Sequence, residues 1–173
     1  MGSAGRLHYR FSALEVLRSL WALPTTVQPV LPSLRDCLSN RWFGCSPYFS
    51  SRALYPVVQH LERAAGMAPA DSPEDRARKL EQLAGALPAS SLGCLLRLMG
   101  LPDGGRSLPG GAAPQEEKAH TLEALIDLLQ RLSKQQPVLF LVEDAHWIDP
   151  TTEELIGQVA ERIRDASVLM VVT

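Results

Sequence analysis

Residues 138–150 read VLFLVEDAHWIDP, and this stretch is the most informative part of the sequence about the fold. It opens with five consecutive apolar residues at positions 138–142, directly behind a proline. A continuous apolar run of that length is typical of a strand that is buried on both faces, as in a parallel sheet. Two acids, Glu143 and Asp144, follow at the carboxyl end of the run. Because open α/β sheets bind ligands at the carboxyl ends of their strands, the stretch predicts a site there.

The two acids have the form of a Walker B element, in which one acid positions Mg²⁺ and a neighbouring group orients water. Mg²⁺ retains several waters and takes few protein carboxylates, so we expect Glu143 or Asp144 to hold it through water. Which acid has which role stays open, although neighbours on a strand point to opposite faces and should not share one role. The alternative interpretation is an ordinary strand-end turn, with Asp149 capping a helix.

His146 and Trp147 lie in the turn that follows the two acids. His146 either contacts the γ-phosphate of a nucleotide, which would make it a cofactor-binding residue, or holds the turn by hydrogen bonds. Trp147 is predicted to be a packing anchor rather than a platform on which a base stacks.

The phosphate-binding half of a nucleotide site is missing from the pattern. No G-x-x-x-x-G-K-S/T motif occurs in the 173 residues. The nearest approach is GLPDGGRS at residues 100–107, which has arginine in place of lysine. A P-loop connects a strand to a helix, whereas this stretch follows a helical pattern. Arginine is also a poor replacement for the compact ammonium group, so we expect an ordinary loop there.

The hydrophobic pattern along the rest of the chain predicts a helix-rich α/β fold with a parallel sheet at its core. The helix after the acids should begin at Asp149 and Pro150, as N-cap and first residue. It connects the strand at 138–142 to another at 168–173, which makes a βαβ unit. A further strand is expected at 41–46, and helices at 11–22, 34–38, 54–65, from Ser72 onward, 92–99 and 116–133.

Composition and charge argue against several classes of protein. A net charge of −2 without a basic run predicts no direct contact with nucleic acid. No apolar stretch approaches the roughly 18 residues that would span a bilayer, so we expect no membrane segment. Cys37, Cys45 and Cys94 are too widely spaced for a metal site and odd in number. They are predicted to be small buried residues of a cytoplasmic protein.

Three separate segments carry a resemblance to a known family. They read RWFGCSPYF at 41–49, ALYPVVQHLERAAG at 53–66 and VEDAHWIDPTT at 142–152. In this order they resemble the AAA-like ATPase module of the STAND class, the signal-transduction ATPases with numerous domains. The similarity is greatest to the version found in large bacterial regulators, where the module follows an adenylate/guanylate cyclase homology domain.

The resemblance implies a three-layer P-loop fold that binds ATP and Mg²⁺ and acts as a switch. Glu143 and Asp144 would be its Walker B acids, and residues 168–173 its sensor strand. By the same comparison, residues 1–40 are a divergent N-terminal segment without a P-loop. Residues 41–173 would be a partial AAA-like domain, with the Walker B element at 138–144.

We therefore expect a truncated ATP-binding regulatory module that hydrolyses little ATP on its own. Two alternatives stay open. In the first alternative, the chain is a non-enzymatic interaction module that uses an exposed sheet edge. In the second, it is one part of a split ATPase whose P-loop comes from a partner chain.

Overall fold

The computed structural model of the protein describes residues 39–44, 52–106, 113–163 and 166–172, without the side chains of residues 39–44 and of Glu143. The helices expected at 11–22 and 34–38 lie outside the described residues, as do Cys37 and Cys45. Nearly all of the segment 1–40 lies outside them as well.

The described part of the chain is a helix-rich α/β structure with three strands and five α-helices. In chain order these are β1 (Ser39–Gly44), α1 (Tyr55–Ala64), α2 (Pro73–Ala84), α3 (Ala89–Leu98), α4 (Pro114–Gln135), β2 (Val138–Glu143), α5 (Pro150–Arg162) and β3 (Val168–Val172). A short 3₁₀ turn, Ala145–Trp147, separates β2 from α5.

The three strands form one parallel sheet in the order β1-β2-β3. β2 is the central strand, so both of its edges are paired with a neighbouring strand. Its apolar sequence agrees with the burial of four of its side chains, Val138, Phe140, Leu141 and Val142. Val138 pairs with Ser39 on β1 and with Val168 on β3. The parallel pairing of β2 with β3 across α5 confirms the predicted βαβ unit.

Alternate residues of β2 pack against the helices. Val138, Phe140 and Val142 belong to one buried cluster that also contains residues of all five helices. Phe140 faces a common apolar space with side chains of α1, α2, α4 and α5. Leu139, between them, is only partly buried and is absent from that cluster. The helices therefore form a layer on the side of the sheet that Phe140 faces.

Local capping signals set the start of two helices. Ser72 is the N-cap of α2, and its side-chain oxygen accepts a hydrogen bond of 3.0 Å from the Asp75 amide, with Pro73 as the first helical residue. Asp149 and Pro150 begin α5 in the same way. Both starts were predicted from sequence, because an oxygen-bearing cap followed by proline is a local pattern.

Element bounds differ from the predictions by a few residues. α4 is two residues longer at each end than the predicted 116–133, because Pro114 serves as its first residue and needs no amide partner. α3 begins at Ala89 rather than residue 92. β1 begins two residues earlier than the predicted 41–46, and residues 45 and 46 lie outside the described part.

The glycine-rich stretch after α3 is not a phosphate loop in the residues described, 100–106. It follows a helix, and its Gly104 and Gly105 have positive φ angles in a turn where the Gly105 amide donates to Asp103. Arg106, in the lysine position, forms an ion pair with Glu81 of α2 at 2.5 Å. The prediction of an ordinary loop is confirmed for these residues.

The burial predicted for Cys94 is confirmed. Cys94 is buried within the helical layer, and burial raises the pKa of its thiol above the ordinary value. Among the helices described, none has the length and hydrophobicity needed to cross a bilayer.

Candidate functional site

The carboxyl ends of the three strands lie level with one another. Gly44, the last residue of β1, pairs with Glu143, the last residue of β2. On the other side of β2, Val142 pairs with Val172 of β3. The acid pair that the sequence singled out therefore stands at the end of the central strand, flanked by two strand ends. This is the edge at which parallel α/β sheets bind ligands.

Asp144 leaves the strand in a left-handed conformation, with φ 56° and ψ 42°. Aspartate is one of the few non-glycine residues that accept this conformation at low cost. The Asp144 carbonyl accepts a hydrogen bond of 2.9 Å from the Trp147 amide, which closes the 3₁₀ turn. Its side chain is exposed and makes no capping bond to that turn. The Asp144 carboxylate is therefore open to a ligand from solvent.

The expectation that the two acids point to opposite faces of the sheet does not extend to Asp144. Alternation between the faces of a sheet holds for consecutive strand residues, and β2 ends at Glu143. The left-handed turn at Asp144 redirects the chain at that point. The division of roles between Glu143 and Asp144 stays a prediction.

His146 and Trp147 are both exposed, and their ring centroids lie 4.9 Å apart at an interplanar angle of 49°. The prediction that Trp147 is a packing anchor is wrong, since 43% of its surface is exposed. The 3₁₀ turn holds Trp147 on the outside, whereas Ala145 and Ile148 of the same segment pack against the core. The role of His146 stays a prediction.

Asp149 is the buried polar residue of the segment, with 3% of its surface exposed. Its Oδ1 accepts hydrogen bonds from the amides of Thr151 at 3.0 Å and Thr152 at 2.9 Å. The Thr152 hydroxyl donates to its other oxygen, Oδ2. These bonds satisfy amides at the start of α5, which would otherwise lack partners.

Asp149 also reaches across the fold, which sequence reasoning missed. Its Oδ1 accepts a third amide bond, from Leu54, at 3.3 Å and 95 residues away. Leu54 precedes α1, is buried, and has a left-handed backbone with φ 58°. A bulky residue rarely adopts that conformation, so the surrounding structure must hold it. No local sequence pattern predicts such a hydrogen bond, because its two partners belong to different motifs.

Mg²⁺ needs oxygen ligands, and the residues at the strand ends supply carboxylates of the suitable kind. Among the residues described, no group of three or more histidine, cysteine or acidic side chains is placed to hold a metal ion. The assignment of a water-mediated Mg²⁺ to Glu143 and Asp144 stays a prediction.

Comparison with known proteins agrees with this geometry. The family model described as AAA ATPase domain matches residues 22–172, which include the whole described sheet and the acid pair. An uncharacterized protein of Rhizobium meliloti (strain 1021) is 32% identical over 136 residues. That alignment covers 76% of this chain but only 13% of the relative, so the chain spans a small part of the relative's length. No solved structure matches. On the strength of the family match, the chain belongs to the AAA ATPase domain family.

Proposed function

We propose that this chain is an ATP-binding regulatory module of the AAA type, within a signalling or transcriptional regulator of the STAND class. One observation carries the proposal: Glu143 and Asp144 stand at the carboxyl end of the central strand of a parallel sheet. A Walker B element requires this position, because the acid must reach Mg²⁺ beside the nucleotide phosphates.

The proposed roles follow from the exposed turn after β2. Glu143 and Asp144 hold Mg²⁺ through water, and one of them polarises the water that attacks the γ-phosphate. His146, exposed two residues later, contacts the phosphate. β3, next to the acid strand, serves as the sensor strand, and residues 41–173 form the AAA-like part of the chain.

The 173 residues alone should hydrolyse ATP weakly. They contain no G-x-x-x-x-G-K-S/T motif, and the nearest stretch has, in the lysine position, an arginine that is paired with Glu81. Preorganised contacts to the phosphates supply most of the catalysis in such sites. Without the backbone amides and the lysine of a P-loop, the chain lacks the contacts that stabilise charge on the phosphates in the transition state.

A place within a larger regulator has two supports. Three motifs resemble the module that accompanies cyclase homology domains in bacterial regulators, and the relative from Rhizobium meliloti is several times longer than its aligned region. Nucleotide binding would then set the on or off state of the neighbouring domains, in the cytoplasm.

Titration calorimetry with Mg²⁺-ATP tests the proposal, together with phosphate release by the same protein. We expect saturable binding to the chain, its loss in Glu143→Gln/Asp144→Asn, and phosphate release no greater than that of this variant. Glu74→Gln/Asp75→Asn is the matched control, since it changes the same two residue types at the start of α2, far from the strand ends in sequence.

Binding that both double variants retain would contradict the assignment of the acid pair. Turnover by the wild-type chain well above that of Glu143→Gln/Asp144→Asn would contradict the prediction of weak hydrolysis. Circular dichroism of each variant shows whether it is folded.

A second candidate, a protein-interaction module, is favoured by the surface of β3. Leu169 is 62% exposed and Val172 is 40% exposed, although both lie in a strand. β3 has a strand neighbour on one side only among the residues described. An apolar edge strand of this kind favours pairing with another strand, from a second copy or from a chain that supplies the P-loop.

A further inference from the structure

A second open cleft lies among the helices, outside the site at the strand ends. It has a volume of about 540 Å³ and is formed by one side of α1 with the residues before it, by Arg76 of α2 and by the end of α3. Its polar lining consists of Arg52, Tyr55, Gln59, Glu62, Arg76 and Arg97, and we call it the arginine cleft. No residue of β2 or of the turn 144–149 lines it.

The arginine cleft has more basic than acidic side chains in its lining, although the net charge of the chain is −2. Three guanidinium groups face one carboxylate, that of Glu62, which forms an ion pair with Arg76. Arg97 pairs with Glu117 of α4 at 2.6 Å. The surplus positive charge in the lining attracts an anion.

Two of these arginines retain unused hydrogen-bonding capacity. Within the described part of the chain, Arg52 forms no ion pair, and its guanidinium lies 5.0 Å from the centre of the Tyr55 ring. The Nε atom of Arg76 is buried and has no hydrogen-bond partner. A buried N–H without an acceptor costs free energy, and an acceptor oxygen that came within reach of it would remove that cost.

Phosphate fits this donor set better than carboxylate does. One guanidinium can satisfy a carboxylate by two parallel bonds. A phosphate group offers three or four oxygens and more charge, and so takes bonds from several arginines at once. We propose that the arginine cleft binds a small phosphate-bearing anion, at a site separate from the Walker B acids.

Titration of the whole chain with sodium pyrophosphate in EDTA tests the proposal, because chelation removes the Mg²⁺ that the strand-end site requires. We expect saturable binding. Arg52→Gln and Arg97→Gln should each weaken it about tenfold, the effect of losing one charge-assisted hydrogen bond. Glu143→Gln/Asp144→Asn should bind as tightly as the wild type, which distinguishes this site from the proposed ATP site.

Arg162→Gln is the matched control for Arg97→Gln. Each arginine lies in the last turn of a helix, is about half exposed, and pairs with one glutamate of α4, Glu123 in the case of Arg162. The control should change the dissociation constant by less than about twofold, as for an exposed ion pair outside the site.

Three results would overturn the proposal. They are an absence of saturable binding by the folded wild type, equal weakening by Arg162→Gln, and loss of pyrophosphate binding in Glu143→Gln/Asp144→Asn. Citrate distinguishes the chemical class of the ligand. Citrate binding as tight as that of pyrophosphate would show a general anion site and would refute the preference for phosphate.

Discussion

Asp149 connects the amino end of α5 to the residue before α1. A helix cap that is removed by alanine costs about 1 kcal/mol. The Leu54 amide is buried, and leaving it without an acceptor adds about 1–3 kcal/mol. We therefore expect Asp149→Ala to lower the free energy of unfolding by about 2–4 kcal/mol in chemical denaturation.

Asp149→Asn separates the contribution of the charge from that of the bonds. The asparagine side chain retains one carbonyl oxygen, which can accept the three amide bonds that Oδ1 now accepts. It should therefore cost much less than alanine. If alanine and asparagine destabilised the protein equally, the amide bonds would not be the source of the effect.

Asp71 makes stability dependent on pH in the acid range. A hydrogen bond from Lys79, at 2.6 Å, is the largest cause that lowers the pKa of this carboxyl below its ordinary value, and the Ala68 amide adds to it. The stabilisation is complete above the ordinary carboxyl pKa and is lost as the pH falls through the lowered pKa. The free energy of unfolding of the wild type should exceed that of Asp71→Asn at neutral pH, and the difference should decrease as the pH is lowered.

Lys79→Met provides the second arm of this measurement. In the Lys79→Met background, the change in the free energy of unfolding caused by Asp71→Asn should depend less on pH, because the principal hydrogen-bond donor to Asp71 is gone. A difference that does not change with pH in the wild-type background would refute this explanation.

At the scale of the helix, Ser72 caps α2 through reciprocal bonds with Asp75. Ser72 Oγ accepts from the Asp75 amide and donates to its carboxylate at 2.9 Å. We expect Ser72→Ala to destabilise the protein by about 1 kcal/mol, the usual effect of losing a cap. The midpoint of denaturation should fall without a change in the slope.

Ser90→Ala is the control for this cap. Ser90 is exposed near the start of α3, a helix without a side-chain cap bond. A change there should stay within about 0.5 kcal/mol, as at other exposed positions. An equal loss for the two serines would show that capping is not what Ser72 contributes.

The elements themselves were largely predictable from sequence because their signals are local. Apolar periodicity located α1 and α4, and the caps Ser72 and Asp149 located α2 and α5. Helix ends were less accurate, as at α3, where the N-cap is Pro88 and no side-chain bond marks the start. The left-handed turn at Asp144 was not predicted, since aspartate accepts both conformations.

At the scale of the whole molecule, the exposed surface of β3 predicts association. The average mass of the chain in sedimentation should increase with concentration, because pairing at this edge covers Leu169. Leu169→Lys should reduce the increase, whereas Ala160→Lys, at an exposed position of α5, should not. A monomer mass at every concentration would argue against the interaction module.

The candidate site was predicted in part for a physical reason. An apolar run followed by two acids indicates a parallel strand with acids at its carboxyl end, and β2, which ends at Glu143, confirms that part. Ligand binding at this end stays a prediction. The contacts made elsewhere in the fold could not be predicted from the sequence in the same way. The Leu54 bond to Asp149 and the convergence of Arg52, Arg76 and Arg97 depend on contacts between distant parts of the chain.

The two neighbours of β2 differ in how far along the chain they lie, and this has a consequence for folding. β3 follows β2 after a single helix, whereas four helices separate β1 from β2 along the chain. The bond between Leu54 and Asp149 likewise joins residues 95 apart. Closing the longer loop costs more chain entropy, at about 0.6 kcal/mol per doubling of length. We expect the unit of β2, α5 and β3 to assemble before β1 and α1 dock. The hydrogen bond from the Leu54 amide to Asp149 would then form late in folding.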